Sequence, residues 1–163
     1  MLHYVHQLEL LQSTFGFPWG DDHYSLGDEK RDKKLIEFKN LRFLLVDEIS
    51  MVKSDQLYQL DLRLREVCMR PNQLFGGVAL FFFGDIMQLR PVMGHYIWAQ
   101  PRSLEYLQAF LVQPYWELFK IISLVENHRQ KEDALYANIL NRIRIGQHTE
   151  EDIDLLQERA HPE

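Results

Sequence analysis

Two short, dense apolar blocks dominate the pattern of this chain: Leu41-Arg42-Phe43-Leu44-Leu45-Val46 and Val78-Ala79-Leu80-Phe81-Phe82-Phe83. Runs this short and this rich in Leu, Val and Phe predict strands buried on both faces. Each ends abruptly in acid. The first runs into Asp47-Glu48-Ile49-Ser50-Met51 and the second into Gly84-Asp85-Ile86-Met87-Gln88-Leu89-Arg90-Pro91-Val92. A third stretch, Ile121-Ile122-Ser123-Leu124, predicts a third strand feeding Glu126-Asn127-His128-Arg129-Gln130.

Helical spacing marks much of the rest. Leu2, Val5, Leu8 and Leu11 predict a helix at the start. Residues 20–34 are polar and predict a solvated loop leading into a short helix. Leu57, Leu60, Leu64 and Val67 form one apolar stripe, on a helix that opens at Ser54 and Asp55 and stops before Pro71. On its polar side, Asp61 with Arg65 and Glu66 with Arg70 are spaced i,i+4 and predict solvated ion pairs, with Arg63 or Arg65 free to touch a partner strand. Residues 104–111 predict a helix and residues 115–119 a shorter one. Leu135, Ile139, Leu140 and Ile143 predict an amphipathic helix closed by Gly146. Thr149 and Asp152 predict a capping-box start for the last helix.

The candidate chemistry sits where the apolar blocks end. In open α/β sheets, ligands bind beyond the carboxyl ends of the strands. Of two adjacent carboxylates there, one can hold a hydrated Mg²⁺ and its neighbour can take a proton from an attacking water. Val-Asp-Glu also arises by chance, and a strand running into a polar turn is the bland alternative. Gln88 can bond a phosphate oxygen without adding charge, or simply satisfy a loop. Asp21-Asp22-His23 is better read as an acidic surface turn than as a metal site, because no other ligand cluster accompanies it. Tyr96 and Trp98 can stack on bases beside a basic residue, but plugging their loop onto the core is the favoured reading.

Asp-Glu-Ile-Ser-Met at residues 47–51, followed by Gly-Asp-x-x-Gln-Leu-x-Pro-Val at residues 84–92, resembles motifs II and III of the Pif-type (petite integration frequency) DNA helicases, superfamily-one enzymes related to RecD. Residues 60–66 and Phe75-Gly76-Gly77-Val78 are similar to the Helitron-transposon branch. Residues 126–130 resemble motif IV, and residues 141–146 resemble the helix after it. The likeness runs over about residues 13–159. Three departures stand out: Gln12 where the family has His, Arg90 where it has Pro, and His128 where it has Phe.

The resemblance implies an α/β fold: a partial RecA-like P-loop NTPase lobe with a mostly parallel sheet, residues 1–163 forming a single partial motor lobe. No Gly-x-x-x-x-Gly-Lys-Ser/Thr occurs in the chain, so the phosphate-loop strand and the second lobe are expected to lie in a missing segment of the same protein. In the intact parent, Glu48, Gln88 and Arg129 would be catalytic. Asp47, Asp85, Gln88 and Arg129 would bind ATP, and Asp47, through water, with Glu48 would hold Mg²⁺. The partner would be single-stranded DNA, in a nuclear or mitochondrial enzyme of repair or recombination. The alternatives are an inactive remnant that only binds protein or nucleic acid, and a different P-loop ATPase.

Composition narrows this little. One domain is expected from 163 residues, of which 46% are hydrophobic. No apolar run approaches the ~20 residues of a membrane span, and no secretory leader is expected. Cys68 is the only cysteine and reads as a packing residue in a reducing compartment. The net charge of −6 argues against a broadly basic nucleic-acid surface but leaves room for a local cationic groove.

Overall fold

The structure, a computed structural model, describes residues 2–5, 14–15, 26–126, 128 and 133–160, which divide into two compact units at residue 120. The first unit is organised by a three-stranded sheet of β1 (Leu2–Val5), β2 (Phe43–Val46) and β3 (Ala79–Phe82), in the order β1-β2-β3. All neighbours are parallel, and parallel neighbours need a crossover. The crossovers carry α1 (Asp28–Phe38) and α2 (Ser54–Val67), and α3 (Leu104–Val112) follows β3. Phe43 pairs with Ala79 and Val46 with Phe82, so the two acidic loops leave the same end of the sheet side by side.

Leu2 to Val5 do not form the expected helix; they pair with β2 from Leu2↔Phe43 to Val5↔Val46. Tyr and Val favour strands, and an available sheet edge outweighs the helical apolar spacing. The remainder of that expected helix, and Asp21-Asp22-His23, lie outside the described residues. Strand burial also differs from expectation. Leu44 and Val46 are fully buried in one cluster with Leu57, Leu60 and Leu64, each such side chain contributing about 1.5–3 kcal/mol. The alternate positions face outward: Phe43 is 44% and Phe81 47% exposed, their rings 6.3 Å apart. Ile121, Ile122 and Leu124 form no strand and are exposed. A strand exists only by pairing its N–H and C=O groups, and this segment pairs with none of the described residues.

The largest correction concerns α2. Asp61 and Arg63 are not on a wet face. Asp61 is 1% exposed. It accepts the Phe75 N–H at 2.5 Å, Arg65 Nε at 2.9 Å and the Tyr115 hydroxyl at 2.9 Å. Arg63 is fully buried and paired with Glu66 at 2.5 Å, so it cannot touch a nucleic acid. Arg70 donates instead to the Gly76 carbonyl at 3.1 Å. The cause is the turn Leu74–Gly77, which folds back onto the helix. A Cβ on Gly76, whose φ is +59°, would lie 2.4 Å from the Leu64 carbonyl oxygen. Tyr115 stacks on Tyr58 at 4.3 Å, and burial, then Asp61, pushes its hydroxyl pKa well up.

The second unit holds α4 (Ala134–Arg144) and α5 (Glu150–Ala160). Asp133 caps α4 by accepting the Tyr136 N–H at 2.9 Å. The helix ends as expected at Gly146, φ +70°. Gly146 donates to Ile143 O and Gln147 to Arg142 O, the paired bonds of a Schellman stop. The capping box also forms, with Asp152 N–H on Thr149 Oγ1 at 3.3 Å and Thr149 N–H on Asp152 Oδ2 at 3.1 Å. Spacing did not reveal the bidentate ion pair of Arg142 with Asp152, Nε–Oδ2 at 2.7 Å.

That pair, with the Thr149 N–H, holds the Asp152 carboxyl far below the ordinary carboxylate range. A carboxyl depressed in the folded state stabilises it above the unfolded pKa of about 4, and the contribution fades as pH falls through the folded value. Acidification below about pH 4 is therefore expected to loosen the α4–α5 pair. Circular dichroism melts at neutral and acid pH check this, and Asp152→Asn should remove that part of the pH dependence. Among the described residues no helix is long and apolar enough to cross a membrane.

Candidate active site

The sheet brings together the two acidic loops. The hydrogen-bond ladder continues past the strands: Phe83 N–H donates to Val46 O at 2.8 Å, and Ile49 N–H to Phe83 O at 2.9 Å. The Asp47–Glu48 step is therefore held directly against the Phe83–Gly84 step. Asp47 Oδ1 accepts the N–H of Glu48 at 2.9 Å. Glu48 takes a left-handed backbone, φ 57° and ψ 48°, before the turn Ile49–Met51. Such a conformation costs a non-glycine residue about 1–3 kcal/mol and persists only where the surroundings impose it. Asp47 and Glu48 are both half-buried, at the rim of the sheet.

Gly84 packs against the Glu48–Ile49 step. Its φ is +130°, and a Cβ there would lie 2.9 Å from Ile49 N and 3.3 Å from Glu48 Cα. Glycine is needed both for the conformation and for the close approach. Gly84→Ala is expected to destabilise the unit by about 1–3 kcal/mol, measured by urea titration. Sequence reasoning passed over this residue, although a glycine between an apolar run and an acid is a usable signal.

After Gly84 the loop is a tight turn built on Asp85. Its Oδ1 accepts the Met87 N–H at 3.0 Å and its carbonyl the Gln88 N–H at 3.0 Å. Gln88 is exposed at the end of that turn. Asp47, Glu48, Asp85 and Gln88 thus share one end of the sheet. Arg129 lies outside the described residues.

The start of α2 carries the frame onward. Gln56 accepts the Lys53 N–H at 2.9 Å, so the helix caps at Lys53 rather than at Ser54. Ser54 N–H donates to His95 O at 3.2 Å, and Lys53 bridges to Tyr96. Asp55, 1% exposed, accepts the N–H groups of Arg102 at 3.1 Å and Ser103 at 2.8 Å. It fastens residues 102–103, while Ser54 and Lys53 hold residues 95–96 at the start of the helix.

No group of three or more His, Cys, Asp or Glu side chains among the described residues is placed to hold a metal by itself. This donor set fits Mg²⁺ rather than zinc, because Mg²⁺ takes one or two carboxylates and completes its shell with water and phosphate oxygens.

The comparisons agree with this geometry. The family model for PIF1-like helicases matches residues 5–154. The ATP-dependent DNA helicase PIF1 of Saccharomyces cerevisiae is 35% identical over 115 residues, 70% of this chain and 13% of that protein. Pif1 of Psychrobacter is 38% identical over 62% of this chain and 16% of its own length. The chain thus spans about a seventh of these curated relatives. The crystal structure of a Bacteroides Pif1 helicase in complex with ADP-AlF3 and single-stranded DNA superposes with a TM-score of 0.72 at 29% identity. That match covers 99% of this chain and 40% of the other. The fold class expected from the sequence, part of a RecA-like lobe with a parallel sheet, is the fold found. With the acidic loops paired at one sheet end and the family model covering nearly all of its length, the chain belongs to the PIF1-like helicase family.

Proposed function

We propose that this chain is part of the nucleotide-hydrolysing lobe of an ATP-dependent DNA helicase, and that the paired loops at residues 47–51 and 84–88 face the nucleotide. The observation that carries this reading is the backbone ladder from Val46 to Phe83 to Ile49, which holds Glu48 against the loop bearing Gln88. Asp47 would hold Mg²⁺, which would offset phosphate charge. Glu48 takes the proton from the attacking water. Gln88 bonds the terminal phosphate, Asp85 keeps the Gln88 turn in shape, and Arg129 balances the charge that develops on that phosphate. Hydrolysis drives movement along single-stranded DNA. A nuclear setting goes with this reading on the transposon-like text alone.

The reading needs a phosphate-binding loop and a second lobe, which these 163 residues do not contain. Without such positioning, a metal ligand and a base achieve little. The chain alone is therefore expected to release no phosphate from ATP. A longer protein that joins it to those parts is expected to release phosphate when single-stranded DNA is added. Phosphate release by the pure chain, abolished in Glu48→Gln, would contradict this division of labour. The competing reading, a binding module without chemistry, predicts no hydrolysis from the longer protein either.

A further inference from the structure

The outer edge of β3 has the makings of a contact between chains. β3 pairs with β2 on one side and with none of the described residues on the other. Ala79 N–H donates to Arg42 O, Phe83 N–H to Val46 O and Ile49 N–H to Phe83 O, so residues 79, 81 and 83 turn their peptide groups toward β2. Leu80 and Phe82 therefore turn theirs outward, and no hydrogen bond within the described residues engages them. A row of unpaired donors and acceptors is a template for another strand, and such edges are ordinarily guarded by Lys, Pro or a bulge. Val78-Ala79-Leu80-Phe81-Phe82-Phe83-Gly84 has no charged residue and no proline, and its register with β2 is unbroken.

The face beside that edge is open as well. Parallel sheets are ordinarily covered on both faces. Here Phe43, Phe81 and Phe83 alternate outward at 44%, 47% and 44% exposure, with the Phe43 and Phe81 rings 6.3 Å apart. The edge also matches itself. Under a two-fold axis, two β3 strands meet antiparallel, each presenting the same patch to the other. The register that pairs all of residues 79–83 centres on Phe81. It sets Leu80 against Phe82 of the second copy, so the outward N–H and C=O groups of both residues find partners. It sets Phe81 against Phe81, and the small Ala79 against the large Phe83, all on the open face. Aromatic pairs placed opposite one another stabilise such a ladder.

We propose that a second copy of this chain docks on the β3 edge, joining two three-stranded sheets across an antiparallel β3–β3 seam. The proposal stands on the unpaired edge and does not depend on the helicase reading. The seam is short and each copy carries a net charge of −6. Association is therefore expected to be weak, in the micromolar range, and to tighten as salt screens the repulsion.

Sedimentation velocity of the 163-residue chain across the micromolar range tests this. The mass should rise from 19.5 kDa toward that of a dimer, and at lower concentration in high salt. Leu80→Pro removes an outward N–H and no bond to β2. It should weaken the dimer roughly tenfold or more, one hydrogen bond being lost on each side of the axis. Phe81→Lys sets like charges opposite each other at the centre of the seam and should abolish the dimer. Phe81→Cys keeps the test decisive should a charged variant lose its fold. Opposed residues of a non-hydrogen-bonded antiparallel pair stand about 4.5 Å apart at Cα, within disulfide reach. Mild oxidation should therefore link two copies of that variant, while Ile36→Cys, exposed on α1, should stay unlinked. Cys68 is buried in both. A monomer throughout the range, a dimer untouched by Leu80→Pro and Phe81→Lys, growth past the dimer into open-ended polymers, or equal linking of the Ile36→Cys variant each overturns the proposal. None of these outcomes bears on the helicase reading.

Discussion

In a helicase that contains this chain together with a phosphate-binding loop, Glu48→Gln is expected to lower DNA-stimulated ATP turnover by about 10²- to 10⁴-fold, the usual contribution of a positioned general base. Nucleotide binding should persist, because the amide keeps the shape and loses only the ability to take a proton. Asp47→Asn should act differently, weakening the Mg²⁺-dependent part of binding. The split comes from the geometry. Asp47 points one oxygen at the Glu48 N–H, while Glu48 sits in a left-handed backbone held by Ile49 and Gly84. Single-turnover kinetics beside equilibrium nucleotide binding separates the two effects. Normal unwinding by the Glu48→Gln enzyme would remove Glu48 from the mechanism.

Asp61→Ala is expected to produce the largest loss of stability, about 2–6 kcal/mol, because two buried donors lose their acceptor at about 1–3 kcal/mol each. A domain of this size has a total stability of about 5–15 kcal/mol, so the variant would be close to unfolding at moderate temperature. The carboxylate serves three groups: Phe75 N–H, the Tyr115 hydroxyl and Arg65. Its loss strands a backbone donor under the Leu74–Gly77 turn and a hydroxyl in the core. Arg65→Ala should cost far less, about 1 kcal/mol or below, because Arg65 remains partly exposed to water. Urea melts of both variants decide the point. Equal effects would mean that the ion pair, rather than the buried hydrogen bonds, carries the energy.

Much of the candidate site was legible because its signals are local. An apolar run that stops at two acids identifies a strand end, and two such runs in one chain identify parallel neighbours. β2 and β3 are parallel neighbours, as that expectation has it. The α4 stop at Gly146 and the Thr149–Asp152 cap were legible for the same reason: each involves residues within a turn of one another. The left-handed Glu48 and the pressure of Gly84 on it were not legible. They arise where two loops distant in sequence meet, and neither residue type alone requires them.

The misreadings share a cause. Charged residues opposite an apolar stripe ordinarily face water, which is why the spacing predicts Asp61 and Arg65 as a solvated pair. The chain instead folds the Leu74–Gly77 turn and Tyr115 over that side, and supplies the carboxylate with donors that periodicity cannot reveal. Leu2–Val5 became a strand because β2 offered an edge, and residues 121–124 did not because none of the described residues pairs with them. The sequence by itself determined the family text, the acidic strand ends and the helix caps, all of which depend on neighbours along the chain. Tertiary structure alone decided which charges are buried, which strands pair, how Glu48 is held, and that Tyr96 and Trp98 stand stacked. Those depend on partners tens of residues away, where burial and hydrogen-bond satisfaction outweigh the local preference of any one residue.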